Sequence, residues 1–451
     1  VSGTYVGVAG SQIRSDINLS DTNANPAVQK ADRLVAGLTS GTSAVAFTPV
    51  AGPLVFLANP INVVSSGAAS TGTFTSSGLP TNGLLNYNLV QTAPGAWGVA
   101  STVNTGAIAA TSTSITAAIA SIDAGFHQPA SALVASAASQ EPNKWSGGPW
   151  IRFNAGTSKV NSTGTAMLPG GGFGLGPQTS ESSVRTNFSG FQGGFDSGLL
   201  NIGSSGWNMH IGMTGGYIEA SARELKTQQG NAVLSSTVNF KVPFVGAYVV
   251  ATHGSFFTDF MVRRDFYNMR VSNNLIGVQD APLDGTATNV NGSVGYHFDI
   301  GNSWFVEPQG GVSYTRSTFD SLAFNPNIVN GNLSFDTLES LLARAGVRIG
   351  TAFLVNDKVA LQPFVTLSVW HEFKENATSQ FNQIDPATNA LSAVVPVSTT
   401  RVGTFGQVGF GVSGQILQTG FVGFVRGDVR FGERLEGGAF VTGARYSFSA
   451  Q

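Results

Sequence analysis

From Phe421 to Phe431 the chain alternates without a break. Phe421, Gly423, Val425, Gly427, Val429 and Phe431 fall on one parity, and Val422, Phe424, Arg426, Asp428 and Arg430 on the other. A period of two is the signature of a strand, here with one face for lipid and one that holds ions. The next segment repeats it, with Phe440, Thr442, Ala444, Tyr446 and Phe448 opposite Val441, Gly443, Arg445 and Ser447. Upstream, Arg344 and Arg348 share a face with Gly346, against Leu341, Ala343, Ala345, Val347 and Ile349. Asp259, Arg263 and Asp265 oppose Phe256, Thr258, Phe260 and Val262, while Arg264 falls on the lipid parity near the strand end and is expected to snorkel to the headgroups. Charge kept to one face fits a barrel with a wet lumen, because a lipid-facing Arg costs about 2–4 kcal/mol at the bilayer midplane.

Twelve segments carry this pattern: Trp150–Gly156, Val184–Gly198, Trp207–Glu224, Val233–Thr252, Ser255–Val271, Thr288–Ile300, Ser303–Phe319, Asp336–Leu354, Val359–Lys374, Arg401–Leu417, Gly420–Gly432 and Glu436–Phe448. Their connections sort into two kinds. His253-Gly254, Gly301-Asn302, Asn356-Asp357-Lys358 and Gln418-Thr419 are short turns, whereas the Gly/Ser/Thr stretch after the first strand, Asn273–Ala287, Asp320–Phe335 and Glu375–Thr400 read as long loops. Outer-membrane barrels keep short turns in the periplasm and long loops outside, so both ends of this barrel are expected on the periplasmic side. Trp207 and Trp304 open strands there with lipid-facing parity, as an aromatic girdle requires.

Composition agrees. Charged residues make up 11% of the chain, against about 25% in ordinary soluble proteins, so a soluble sandwich or propeller would lack charge for its exterior. No apolar run approaches the roughly 20 residues of a membrane helix. The net charge of −2 argues against nucleic acid as a partner, and the absence of Cys excludes a disulfide framework. The chain opens without a basic start or an apolar core of the signal-peptide kind and is expected to be the C-terminal part of a longer precursor.

Residues 1–105 differ from the rest. Short runs such as Leu34-Val35 and Ala44-Val45-Ala46-Phe47 alternate with turn residues such as Thr39-Ser40-Gly41-Thr42, which predicts a compact β-module or a stack of β-coils. Its open end needs a cap, and Asn86–Val90 with Gly95–Val99 would be the final strand pair. Next comes a stretch of small residues, Gly106 to Gln140, with one acid, Asp123, one imidazole, His127, and no Asn. Ile108, Ile115, Ile119 and Ile122 stand at helical spacing, with Pro129 interrupting. At about 1.5 Å per residue, roughly 20 helical residues cross a hydrocarbon layer of about 30 Å, so a helix this slim can thread a narrow barrel. The alternative is a flexible periplasmic linker.

The order of parts resembles the C-terminal region of a monomeric autotransporter, of the type V secretion family, over the whole chain. Ala31-Asp32-Arg33-Leu34 with Ser40-Gly41, and Tyr87-Asn88-Leu89 with Ala96-Trp97, are similar to a pertactin-like passenger end. In the barrel the resemblance rests on Trp150-Ile151-Arg152-Phe153, Trp304–Pro308, Ala345–Gly350, Leu361–Phe364 with His371-Glu372, and Gly443–Phe448. It implies a twelve-stranded antiparallel transmembrane barrel (149–451), a linker with a pore helix (106–148) and the passenger's β-helix-like end (1–105) at the surface of a Gram-negative cell. The implied partners are the passenger itself, outer-membrane lipid and lipopolysaccharide, the barrel-assembly machinery and periplasmic chaperones. Tyr446 and Phe448 would form the C-terminal assembly signal, although the family usually ends on the aromatic residue and here Ser449-Ala450-Gln451 follow. The helix is expected to face Arg344, Arg348, Arg426, Asp428, Arg430 and Arg445, with Asp123 as the charged partner of that basic wall. Some members cut the passenger free through an Asn in this helix. None lies between Gly106 and Pro142, so the passenger is expected to stay attached.

Nothing in the sequence points to catalysis or to a cofactor. The His at 127, 210, 253, 297 and 371 form no i, i+4 metal pair, there is no G-x-S-x-G elbow, and Gly170–Gly174 lacks the strand and helix of a phosphate site. A narrow porin with a periplasmic N-terminal domain is the competing reading, and an adhesin or lateral assembly contact is a third.

Overall fold

A computed structural model describes residues 3–21, 28–126, 141–168, 177–228, 231–386 and 388–449. His127, Pro129 and the Gly170–Gly174 run lie outside the described residues.

The N-terminal module begins as stacked β-coils. Strands β1 (Thr4–Gly7) and β2 (Gln12–Ile17) both pair in parallel with β4 (Leu38–Pro49), which follows β3 (Leu34–Val35). Their stacking is close enough to demand Gly41, at φ 72°, since a Cβ there would stand 2.0 Å from the Gly7 carbonyl oxygen. β5 (Ile61–Ser65) pairs with β3, and β6 (Thr73–Ser77) extends the coil on β4. The hairpin β7 (Leu85–Ala93) and β8 (Ala96–Val103) then closes the stack by pairing antiparallel with β5, which is the capping pair expected from sequence. Inside, the Phe74 ring meets Trp97 edge-on at 5.6 Å. Tyr87 donates to the Val55 carbonyl at 2.6 Å, and burial lifts its phenol well above the ordinary tyrosine range.

α1 (Thr105–Phe126) follows with a single residue between. Asn104 caps it, its Oδ1 accepting from the Ala107 N–H at 3.2 Å while its Nδ2 ties back to the Gly83 carbonyl at 2.7 Å.

The chain then builds a closed barrel. Its staves run β9 (Lys144–Ala166), β10 (Gln178–Leu200), β11 (Trp207–Gln228), β12 (Asn231–His253), β13 (Phe256–Asn273), β14 (Val278–Tyr296) with its continuation β15 (Phe298–Gly301), and β16 (Trp304–Phe319). Two short strands, β17 (Leu322–Ala323) and β18 (Gly331–Phe335), precede β19 (Leu338–Thr351), which continues as β20 (Phe353–Asn356), and β21 (Val359–Glu372). A hairpin, β22 (Asn376–Ile384) and β23 (Leu391–Thr400), comes before β24 (Thr404–Ile416), β25 (Phe421–Gly432), and β26 (Leu435–Tyr446) with β27 (Phe448–Ser449). β26 pairs with β9 and closes the cylinder at twelve antiparallel staves.

All twelve expected strands are present, but several connections are shorter than the long loops expected. The loop expected at 273–287 is a tight 3₁₀ turn, Asn274–Ile276, and the β9–β10 staves run to Ala166 and resume at Gln178. Above the lipid the outward residues of β13, such as Asn268 and Arg270, become polar while the inward Met269 and Val271 stay buried, so the strand outlasts its lipid-facing signal. Residues 375–400 likewise form the β22–β23 hairpin, which leans over the mouth and pairs with β18 and β9.

Candidate functional site

α1 lies inside the barrel, and from Thr105 to Asp123 every residue but Thr116 and Ala120 is buried. Ile108, Ile115, Ile119 and Ile122 are at most 2% exposed, and Thr111, Thr113, Ser114 and Ser121 are buried as well. A helix so enclosed needs no polar face, and two of its hydroxyls bond within it: Ser114 donates to the Ala110 carbonyl at 2.8 Å and Ser121 to that of Ala117 at 2.6 Å. Small residues permit the fit. A Cβ on Gly164 of β9 would come within 2.4 Å of the Ala109 Cβ. Polar contacts fix the helix's height: Thr105 donates to the Gln178 carbonyl (3.1 Å), Asn273 to the Ala107 carbonyl (2.8 Å) and Ser112 to Ser379 (2.9 Å) at the module end, and Thr315 to Asp123 (3.1 Å) deeper in the lumen.

Beyond the helix, ions fill the lumen in layers. Arg263 makes a two-point pair with Asp265 (2.7 and 2.8 Å) near Asp123. Arg348 bonds Glu307 (2.9 Å) and Gln362 (3.1 Å) between the rings of Phe305 and Phe364. Arg344 bonds Gln309 (3.0 Å) and stacks over Trp370, while Arg426 donates to Asp428 at 2.7 Å and Arg430 is buried nearby. Nearer the short-turn end, both terminal nitrogens of Arg445 donate to Asp196, one at 2.7 Å. His210 Nδ1 lies 2.9 Å from the same carboxylate, Tyr248 donates to it at 3.0 Å, and Trp150 donates to Tyr248 at 2.6 Å.

The expected wall residues thus all point inward but stand at different heights. Arg263 and Asp265, expected on the ion-bearing face of their strand, belong to the same lumen, as do Gln192, Asp196 and His210, to which the sequence assigns no role. Tyr446 and Phe448 point outward, 45% and 40% exposed, with rings 5.1 Å apart at the short-turn end. Among the described residues no His, Asp and Glu gather as a metal site.

The module sits on the mouth opposite the short turns. Gln383 of β22 holds the Phe56 main chain from both sides, accepting from its N–H and donating to its carbonyl at 3.1 Å, and the Phe381 ring lies between those of Phe56 and Phe324. Gln383→Ala removes two buried hydrogen bonds worth about 1–3 kcal/mol together. The expected result is an increase of about tenfold in proteolytic nicking at 50–60 with the barrel intact, read by limited proteolysis in detergent. An unchanged nicking rate would mean that the remaining ties, the Phe56 ring on Phe381 and Asn82 on the Ile328 carbonyl, hold the module.

The autotransporter beta-domain family model matches residues 169–445. Among solved structures, the chain is similar to the transport unit of the autotransporter AIDA-I from Escherichia coli, with a TM-score of 0.51 at 13% identity over 76% of this chain and 99% of that one. The beta domain of the Bordetella autotransporter Brka matches at a TM-score of 0.46 and 22% identity, over 66% of this chain and 98% of that one. No curated protein matches the chain.

Proposed function

We propose, for a chain that belongs to the autotransporter β-domain family, that residues 1–105 are the end of a passenger held at the cell surface and that α1 is its last segment, left in the pore it passed through. The barrel is the outer-membrane translocator of that passenger in a Gram-negative cell. One observation carries the finer reading, namely the path of the chain. The module lies at one mouth, α1 descends from it inside a closed hydrogen-bonded wall, and β9 starts at the other mouth, where Asn143 N–H bonds the Asn201 carbonyl at 3.1 Å. A segment that runs through a closed cylinder was either threaded or enclosed during assembly, and both bring the N-terminal part out on the far side.

The division into passenger end (1–105), linker with helix (106–148) and barrel (149–451) follows from this reading. Folding of the module outside supplies direction without ATP, since a folded module docked on the mouth cannot slide back. Asp123 anchors the helix tip among the lumen ions, and Arg344, Arg348, Arg426, Asp428, Arg430 and Arg445 line the passage below it. Tyr446 and Phe448 present the end strand to the barrel-assembly machinery after periplasmic chaperones deliver the chain, and the outer apolar band meets lipid and lipopolysaccharide. With no Asn from 106 to 142, the passenger stays attached.

Protease shaving of intact cells tests the reading, with one tag near Val1 and another in the turn Asn356-Asp357-Lys358. A single band bearing both tags is expected before protease. Afterwards the first tag is lost and the second survives. Protection of both tags until the outer membrane is opened would put the module in the periplasm and favour a plugged porin.

A further inference from the structure

Two arginines face outward from the barrel where its apolar band ends. Arg264 of β13 stands opposite Thr288 of β14, and Thr288 stands opposite Arg316 of β16, so one row of the sheet reads Arg, Thr, Arg. Toward the short-turn end, the outward positions are apolar: Phe260 and Val262 on β13 and Val312 on β16 are 40–51% exposed. Phe266 and Tyr314 flank the two arginines on their own strands, as a girdle does, and the outward residues beyond them are Asn268, Arg270 and Thr318.

The Arg264 guanidinium is laid along the sheet toward Arg316, donating from Nη1 to Thr288 Oγ1 at 2.6 Å and from Nη2 to Thr286 Oγ1 at 2.7 Å. Thr286 in turn faces Thr318, and so three hydroxyls lie between or beside the two cations. The acid opposite Arg316 is Glu339, and its carboxylate is already held by the Lys374 ammonium and the Tyr314 hydroxyl, each at 2.8 Å. Arg264, Arg316 and Lys374 therefore face one carboxylate in this patch, and the next acid on β14, Asp284, lies further from the lipid.

We propose that Arg264 and Arg316 clamp the phosphate of a phosphorylated lipid headgroup in the outer leaflet. A tetrahedral anion over Thr288 accepts from both planar guanidinium groups and from the hydroxyls around them, which are the donors such a group selects. Snorkelling alone explains one arginine at an interface, not two on one row either side of a threonine, with the one acid beside Arg316 shared with Lys374 and Tyr314. A second outward basic row, Lys159, Arg185 and Arg223, lacks this setting: Lys159 pairs with Glu436 at 3.3 Å and no lipid-level aromatic flanks the arginines.

The clamp rests on the outer-membrane reading but is tested separately from orientation. The full chain is refolded in neutral detergent, and bound lipid is counted by native mass spectrometry with diphosphorylated lipid A, the same lipid stripped of phosphate, and inorganic phosphate. The expected result is retention of the diphosphorylated lipid, weakened about tenfold or more in R264Q/R316Q and unchanged in R185Q/R223Q. R264K/R316K, which keeps the charges but loses the planar fork, should fall between, and heat-modifiable gel mobility verifies that each variant is folded. Equal binding by the R264Q/R316Q variant, equal binding of the stripped lipid, or displacement by inorganic phosphate at matched concentration would each overturn the clamp. A failed shaving experiment would leave this result untouched.

Discussion

Asp196→Ala is expected to cost the barrel its resistance to heat, lowering the temperature at which the compact form runs as an unfolded chain. The carboxylate is fully buried and accepts from Arg445, His210 and Tyr248 at once. Those partners come from β26, β11 and β12, and Asp196 itself from β10, so the cluster reaches across the β9–β26 junction where the first and last staves meet. Trp150 of β9 completes it through Tyr248. Removing the acid strands the Arg445 guanidinium beside a buried imidazole, and breaking a buried pair in this way typically costs about 3–5 kcal/mol. A strand-pairing register that closes a cylinder must also be chosen among neighbours, and a polar hub satisfied by one alignment of β9 on β26 rejects a slipped one. The loss should therefore be seen in refolding yield as well as in melting. Arg445→Ala should do similar damage, and the double variant should be less harmful than the sum of the two, because it leaves no orphaned charge. A melting temperature within a degree or two of the parent in both single variants would mean that the main-chain ladder alone closes the seam.

Of this hub the sequence marked Arg445 as an inward residue but not its partners, and the reason is geometric. Period two assigns Arg445 and Asp196 to the inner face, but parity gives no height along the stave and no angular position, and the pair is separated by 249 residues. What parity could give, it gave well. Phe421–Gly432, Leu435–Tyr446 and the ten staves before them were found where lipid imposed apolar residues at every second position. It failed where lipid stops. β13 and β14 continue past the membrane with polar outward residues, and β22 carries its alternation in Ala377, Ser379, Phe381 and Gln383, a mixed set that reads as loop until the module packed upon it is known. The helix was visible in part. Its four isoleucines and its lack of bulk marked it as something to be enclosed, whereas nothing in the sequence marked Asn104 as its cap. Arg263, the cation near Asp123, was seen on the inner face but not placed with the helix, for the same want of height.

Ala109→Trp is expected to turn a closed barrel into a conducting one. Ala109 is fully buried where α1 passes β9, and the space there is set by the absence of a side chain at Gly164, whose own Cβ would already collide with it. An indole has no room between the helix and a wall whose strands are held by a continuous ladder. Over-packing of a tight core by even a few methylenes costs about 1–3 kcal/mol, and a tryptophan exceeds that. The wall is closed and the helix is held by a handful of hydrogen bonds, chiefly those of Thr105, Ser112, Asn273 and Thr315, so the helix is the part that moves. Once it is displaced, the lumen keeps its ion layers but loses its plug, and planar-bilayer recordings should change from largely silent to steps resembling those of a barrel from which residues 1–126 are deleted. Ala120→Trp separates this from a general intolerance of bulk, because Ala120 is only partly buried, so a much smaller conductance is expected. Passenger export should respond in the same order. A helix that cannot seat leaves the final segment sliding in the pore, and surface display of the tag near Val1 should slow more for Ala109→Trp than for Ala120→Trp. Parent-like silence in the Ala109 variant would mean that the seal lies not at the helix but in the layers of arginine and carboxylate beneath it, where Arg426, Asp428 and Arg430 narrow the passage.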